Sequence, residues 1–177
     1  KREKMLAVKQ NKPVQFSEST LQRAHEIISR YPDGKQKSAV LPLLHLAQNE
    51  FAGWLSVDAM DYVASLLKIK PVEVYEVATF YSMYNLQPVG KYVIEYCHTG
   101  PCALRGAEDV LRYIERKLNI KTGETTKDGM FTLKTVECLG ACGYAPMFQV
   151  GNDYYENLDS YHKVDEVLDG LRMKANN

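Results

Sequence analysis

Long apolar runs are missing from this chain. The longest candidate, Ala39 to Leu44, spans six positions and contains Pro42, whereas a bilayer-spanning helix needs ~18 or more apolar residues. Direct membrane insertion is therefore not expected, and any anchor would come from a partner. No apolar stretch follows Lys1-Arg2-Glu3-Lys4, so no secretory signal is expected either. Net charge is also missing: 22 Lys and Arg balance 22 Asp and Glu. Neither half is polarised, with 11 basic and 9 acidic residues in 1–90 and 11 and 13 in 91–177. That argues against nucleic acid as a partner. The glycine-rich dinucleotide fingerprint, the phosphate-binding loop and the nucleophile elbow are all absent, so the chain offers no nucleotide site or acyl-transfer nucleophile of its own. Cysteine is absent before Cys97 and after Cys142.

What is present suffices for one large or two small domains. At 177 residues and 45% apolar content, the chain can bury a core without disulfides. The first 15 residues are basic and aperiodic and read as a flexible tail. Helix signals follow. Ser17 suits an N-cap, with Phe16 before it and Leu21 placed for a hydrophobic staple. Leu21, Ala24, Ile27 and Ile28 form one face, and Tyr31-Pro32-Asp33-Gly34 stops the helix. A second helix is expected over about Ala39 to Asn49. Ser56 caps a third, with Ala59, Met60, Val63, Leu66 and Leu67 as its stripe. Pro71 opens a fourth, to Tyr81. Four helices with short links predict a bundle over residues 16–86.

The pattern changes at Gln87-Pro88-Val89-Gly90. Tyr92 to Cys97 reads as a strand, and Leu104, Ala107, Leu111, Ile114 and Leu118 as one long helix stripe. Phe131 to Cys138 reads as a second strand. Met147–Val150 and Tyr154–Leu158 flank a hairpin signal at Gly151-Asn152-Asp153, and Val164, Val167, Leu168 and Leu171 mark a last helix. The order β-α-β-β-β-α over residues 87–177 predicts a mixed sheet whose first two strands are parallel, a thioredoxin-like arrangement. The whole chain is expected to be α+β.

The four cysteines carry the chemistry. Cys97 and Cys102 form C-x4-C, Cys138 and Cys142 form C-x3-C, and residues 103–137 separate the pairs. Each pair lies where a strand is expected to end. Adjacent parallel strands would bring both loops to one edge of the sheet, where four thiolates can converge. Spacing alone leaves three occupants open. A [2Fe–2S] cluster takes four thiolates, two per iron, with donors around the sulfurs, and Gly100, Gly140 and Gly143 would let backbone N–H groups approach. Structural zinc also takes four thiolates, usually in tighter knuckles that organise a small domain. Thiol–disulfide chemistry prefers C-x-x-C at a helix N-terminus.

Beyond the cysteines, Val77 to Tyr84 (VATFYSMY), Pro88-Val-Gly-Lys-Tyr92, Glu137-Cys-Leu-Gly-Ala-Cys142 and Ala145-Pro146-Met147 together resemble one family, from about Phe16 to Leu171. It is the small [2Fe–2S] subunit, the NuoE type, of the NADH-oxidising module of respiratory complex I. Gly123-Glu-Thr-Thr126 and Asp153-Tyr-Tyr-Glu156 also fit. The resemblance implies a thioredoxin-like ferredoxin domain in which Cys97, Cys102, Cys138 and Cys142 bind one [2Fe–2S] cluster. It implies a flavoprotein partner holding FMN, the NADH site and a [4Fe–4S] cluster. It further implies a peripheral place on the cytoplasmic side of a membrane complex, or on the matrix side in a mitochondrion. The chain would not oxidise NADH alone. Related subunits of NAD-linked hydrogenases and formate dehydrogenases share much of the pattern.

Other candidates are weighed on their chemistry. His98, between two of the cysteines, would tune a cluster through charge or a hydrogen bond rather than replace a thiolate. Arg105 could offset a cluster's negative charge or lie on the surface. His25, His45 and His162 have no ligand spacing. Phe80, Tyr81 and Tyr84 suit either a docking surface or core packing. Pro146, ahead of a strand, is a candidate cis-proline.

Overall fold

The computed structural model describes residues 7–9 and 14–176. Most of the expected tail, residues 1–15, lies outside the described residues. Of the part described, Ala7 packs against the first core and the Val8 carbonyl accepts from Val57 N–H at 3.1 Å. The chain divides between Pro88 and Val89 into two compact units.

The first unit contains helices α1 (Glu18–Ile28), α2 (Val40–Glu50), α3 (Val57–Leu67) and α4 (Pro71–Phe80). Their starts follow from local chemistry. The Ser17 and Ser56 side chains accept from Thr20 and Ala59 N–H, at 3.4 and 3.1 Å, satisfying N–H groups that a helix cannot pair internally. Pro71 occupies the first turn of α4, where its missing N–H costs nothing. Pro42 is tolerated in α2 because a short 3₁₀ turn, Gln36–Ala39, leads into that helix and leaves Pro42 in its first turn. The apolar faces bury Leu43, Leu44, Val63 and Val74 completely.

The second unit is a four-stranded sheet, β1 (Tyr92–Cys97), β2 (Phe131–Val136), β3 (Phe148–Val150) and β4 (Asp153–Tyr155), in the order β2-β1-β3-β4. β1 and β2 are parallel, with Tyr92 opposite Phe131 and Cys97 opposite Val136. The β3–β4 hairpin adds two antiparallel pairings. Alternation sends Ile94, Tyr96, Leu133, Phe148 and Val150 to one face, where they join a core with Val110 and Ile114 of α6 (Ala107–Leu118) and Val164 and Leu168 of α7 (Tyr161–Asn176).

Three boundaries differ from the sequence reading. The expected helix from Leu104 to Leu118 is two helices, α5 (Gly100–Leu104) and α6, parted at Gly106 with φ +84°. Leu104 is consequently 91% exposed, although its spacing matched the apolar stripe. β2 ends at Val136, so Cys138 sits in the following loop rather than closing the strand. The hairpin strands are also shorter than the expected 147–150 and 154–158.

Gly90 leads into β1 under a tight constraint. A methyl group on it would lie 2.9 Å from the Gly129 carbonyl oxygen and from backbone atoms of Phe131. Its N–H also donates to Thr132 Oγ1 at 2.6 Å. The obstructing atoms are all backbone, from Gly129 and Phe131, and cannot rotate away. Gly90→Ala is therefore expected to destabilise the second unit by about 3 kcal/mol, the upper part of the usual overpacking range. Urea unfolding monitored by a tertiary signal of that unit checks this; an unchanged midpoint would show that the lead-in to β1 can shift freely.

Candidate metal centre

The parallel pairing of β1 and β2 brings both cysteine loops to one edge of the sheet. Cys97 is the last residue of β1, and its N–H donates to the Met147 carbonyl at 3.3 Å. Cys102 lies in α5, its N–H bonded to the Thr99 carbonyl at 3.1 Å. Both are 1% exposed and border the core of the second unit. Cys138 is exposed and Cys142, which begins a 3₁₀ turn, is half-buried. No disulfide joins any of the four.

The thiols stand as two pairs. Cys138 and Cys142 have their sulfurs 3.5 Å apart. Cys97 and Cys102 share a hydrogen bond, and the charges of Cys97 and Cys142 act across the gap between the pairs. Among the described residues no three His, Cys, Asp or Glu side chains close on a single ion. Two pairs of thiolates are the donor set that a two-iron cluster uses, so the residues present fit such a group.

Backbone donors surround the sulfurs. Burial pushes the Cys97 thiol up, but hydrogen bonds from Thr99 and Leu139 N–H, from the Cys102 thiol and from the Thr99 side chain outweigh it and hold Cys97 below the ordinary thiol range. Cys102 is pushed up to about 12 by burial first, then by its bond to Cys97 and the charge there; Met147 N–H opposes the rise. Cys142 is raised by its bond to Cys138, by burial and by neighbouring thiolate charge. Gly140 N–H donates to Cys138 Sγ at 3.4 Å. Gly140 has φ +84°, a conformation glycine reaches without a steric penalty.

The remaining candidates separate cleanly. His98 and Arg105 are exposed. The Arg105 charge, behind the larger effect of the Lys163 hydrogen bond, acts on Asp159. His25, His45 and His162 are exposed. The peptide bond between Ala145 and Pro146 is cis and both residues are buried. The aromatic run divides: Tyr84 is buried, its hydroxyl donating to the Leu41 carbonyl at 2.9 Å, whereas Phe80 is 79% exposed and stacks edge-on against Tyr81. Sequence reasoning missed Thr99 and Tyr154, whose hydroxyl donates to the Leu139 carbonyl at 2.7 Å. Tyr154 carried a signal only as part of Asp153-Tyr-Tyr-Glu156.

A sheet edge presenting four paired thiols beneath backbone donors defines a ferredoxin centre on a thioredoxin-like sheet. The sequence matches the family of thioredoxin-like [2Fe–2S] ferredoxins over residues 24–172, and the chain belongs to that family; it carries one [2Fe–2S] cluster. Among its relatives, it is 53% identical over 154 residues to the E-type subunit of the NADH-quinone oxidoreductase of Rickettsia typhi, covering 87% of this chain and 90% of that protein. It is 49% identical over 157 residues to the corresponding protein of Rickettsia conorii, covering 89% and 93%. Among solved structures, an air-oxidised NAD+-reducing [NiFe]-hydrogenase superposes with a TM-score of 0.66 at 18% identity. That match covers 77% of this chain but only 23% of the hydrogenase chain, and speaks for the fold alone.

Proposed function

We propose that this chain is the electron-transfer subunit of an NADH:quinone oxidoreductase, respiratory complex I, with Cys97, Cys102, Cys138 and Cys142 as the ligands of its [2Fe–2S] cluster. The observation that carries the reading is the pairing of four thiols at one sheet edge in a chain 53% identical to an NADH-quinone oxidoreductase subunit across 90% of that protein. The bound cluster supplies storage and release of one electron at a time. The protein's residues supply the rest. Buried Cys97 and Cys102 hold one side against the core, the 138–142 loop closes the exposed side, and N–H groups of Thr99, Leu139 and Gly140 offset the negative charge on the sulfurs.

The partner in this reading is a flavoprotein subunit that holds FMN, the NADH site and a [4Fe–4S] cluster. Hydride transfer from NADH moves two electrons together, so a flavin must stand between it and a one-electron centre. This chain, with no dinucleotide fingerprint, depends on that partner for turnover. We place it as a peripheral subunit on the cytoplasmic face of the complex, or the matrix face in a mitochondrion. Among the described residues no helix is long and apolar enough to cross a membrane.

The test is analytical. Anaerobically purified chain is expected to carry about two irons and two acid-labile sulfides, the content of one [2Fe–2S] cluster, and dithionite is expected to produce the EPR signal of one unpaired spin. One zinc with no sulfide would overturn the reading in favour of a zinc-stabilised interaction module.

A further inference from the structure

We propose that Tyr154 raises the reduction potential of the cluster by acting through a single peptide unit of the 138–142 loop; the proposal rests on Cys138 being a ligand. The Tyr154 hydroxyl donates to the Leu139 carbonyl oxygen at 2.7 Å. That carbonyl belongs to the same planar peptide unit as Gly140 N–H. Gly140 N–H in turn donates to Cys138 Sγ at 3.4 Å. One amide is thus hydrogen-bonded at both ends, with the phenol at its oxygen and the thiolate at its N–H. Donation to the oxygen polarises the amide and strengthens the N–H as a donor. A stronger N–H···S bond favours the state with more negative charge on the sulfurs, which is the reduced state, so the potential rises.

The placement of Tyr154 supports this role. It lies in β4, the edge strand, opposite Gln149. Its neighbour Tyr155 turns the other way and packs against Phe148, with ring centroids 5.4 Å apart. Tyr154 is 47% exposed, so its ring gains little from burial, while its hydroxyl ties β4 to the cysteine loop. Gly140, at φ +84°, makes the reversal that turns its N–H back toward Cys138. Tyr154 is therefore a positioning residue: its hydroxyl acts on the loop through the Leu139 carbonyl.

The experiment measures the midpoint potential of the cluster-loaded full chain, by EPR-monitored titration or film voltammetry, for two variants. In Tyr154→Phe the donor is lost, and the reduced-to-oxidised ratio at the wild-type midpoint is expected to fall about threefold, a shift of about 28 mV downward at 59 mV per tenfold for one electron. With 3-fluorotyrosine at position 154 the ring keeps its shape but the phenol is more acidic and donates more strongly, so the potential is expected to move upward. Opposite signs identify the hydrogen bond as the cause. No shift in either variant, or shifts of the same sign, overturns the proposal. The fluorinated chain keeps the test decisive should the phenylalanine variant load poorly. Cys138→Ala separates the underlying ligand assignment: if that variant keeps an unaltered cluster, the assignment fails whatever Tyr154 does.

Discussion

Cys102→Ala is expected to purify without its cluster, with iron and sulfide contents more than tenfold below the wild type, while most helical circular dichroism survives. Cys102 is 1% exposed and lies in α5 against the core of the second unit. In the proposed ligand set, alanine there takes one of the four thiolates from a two-iron cluster. The structural cost is smaller. Deleting one buried sulfur removes little volume, about 1 kcal/mol on the scale of a small core truncation. The first unit has a separate core, built on Leu43, Leu44, Val63 and Val74, which contains no cysteine. Iron and sulfide analysis beside far-ultraviolet circular dichroism checks both halves of the expectation. A fully loaded variant would remove Cys102 from the ligand set, and loss of all helical signal would show that the two units fold only together.

A chain beginning at Val89 is expected to remain red-brown and cluster-loaded while binding the proposed flavoprotein partner at least tenfold more weakly. All four cysteines and the whole second core lie in the unit that starts there. The first unit holds no candidate ligand, yet it presents apolar surface: Phe80 is 79% exposed, Val72 52%, and Tyr81 and Met83 are also open. Exposed aromatic side chains of this kind are favoured anchors in interfaces. Burying one phenylalanine contributes about 1.5–3 kcal/mol, or about ten- to a hundredfold in affinity. Phe80→Ala in the full chain should reproduce part of the loss. If the shortened chain binds the flavoprotein as tightly as the whole one in a titration, docking belongs to the ferredoxin unit instead.

How far the sequence was legible depends on the range of each interaction. Periodicity placed α6 but ran on through Leu104, because a 3, 4, 3, 4 spacing does not register the backbone break at Gly106. Three nearby aromatics looked alike in the sequence. Only packing separates Tyr84, bonded to the Leu41 carbonyl, from Phe80, which faces water.

The chain's own residues determine the elements and the chemistry available to them. Ser17 and Ser56 cap helices through atoms three residues away, Pro71 starts one, and alternation sorts the strand faces. These are short-range effects, written in neighbouring positions. The two cysteine pairs, their type and their places beside strand ends are likewise local. Tertiary structure decides the rest. Parallel pairing of β1 with β2 sets residues 97 and 136 side by side and so gathers thiols that are far apart in the chain. Burial hides Cys97 and Cys102 and leaves Cys138 open. The reach of Tyr154 to Leu139, and of Leu139 N–H to Cys97, joins residues whose distance in sequence says nothing of their distance in space. Such contacts depend on where the sheet and its loops lie, and that placement is set by the burial of the whole core rather than by any neighbouring residue.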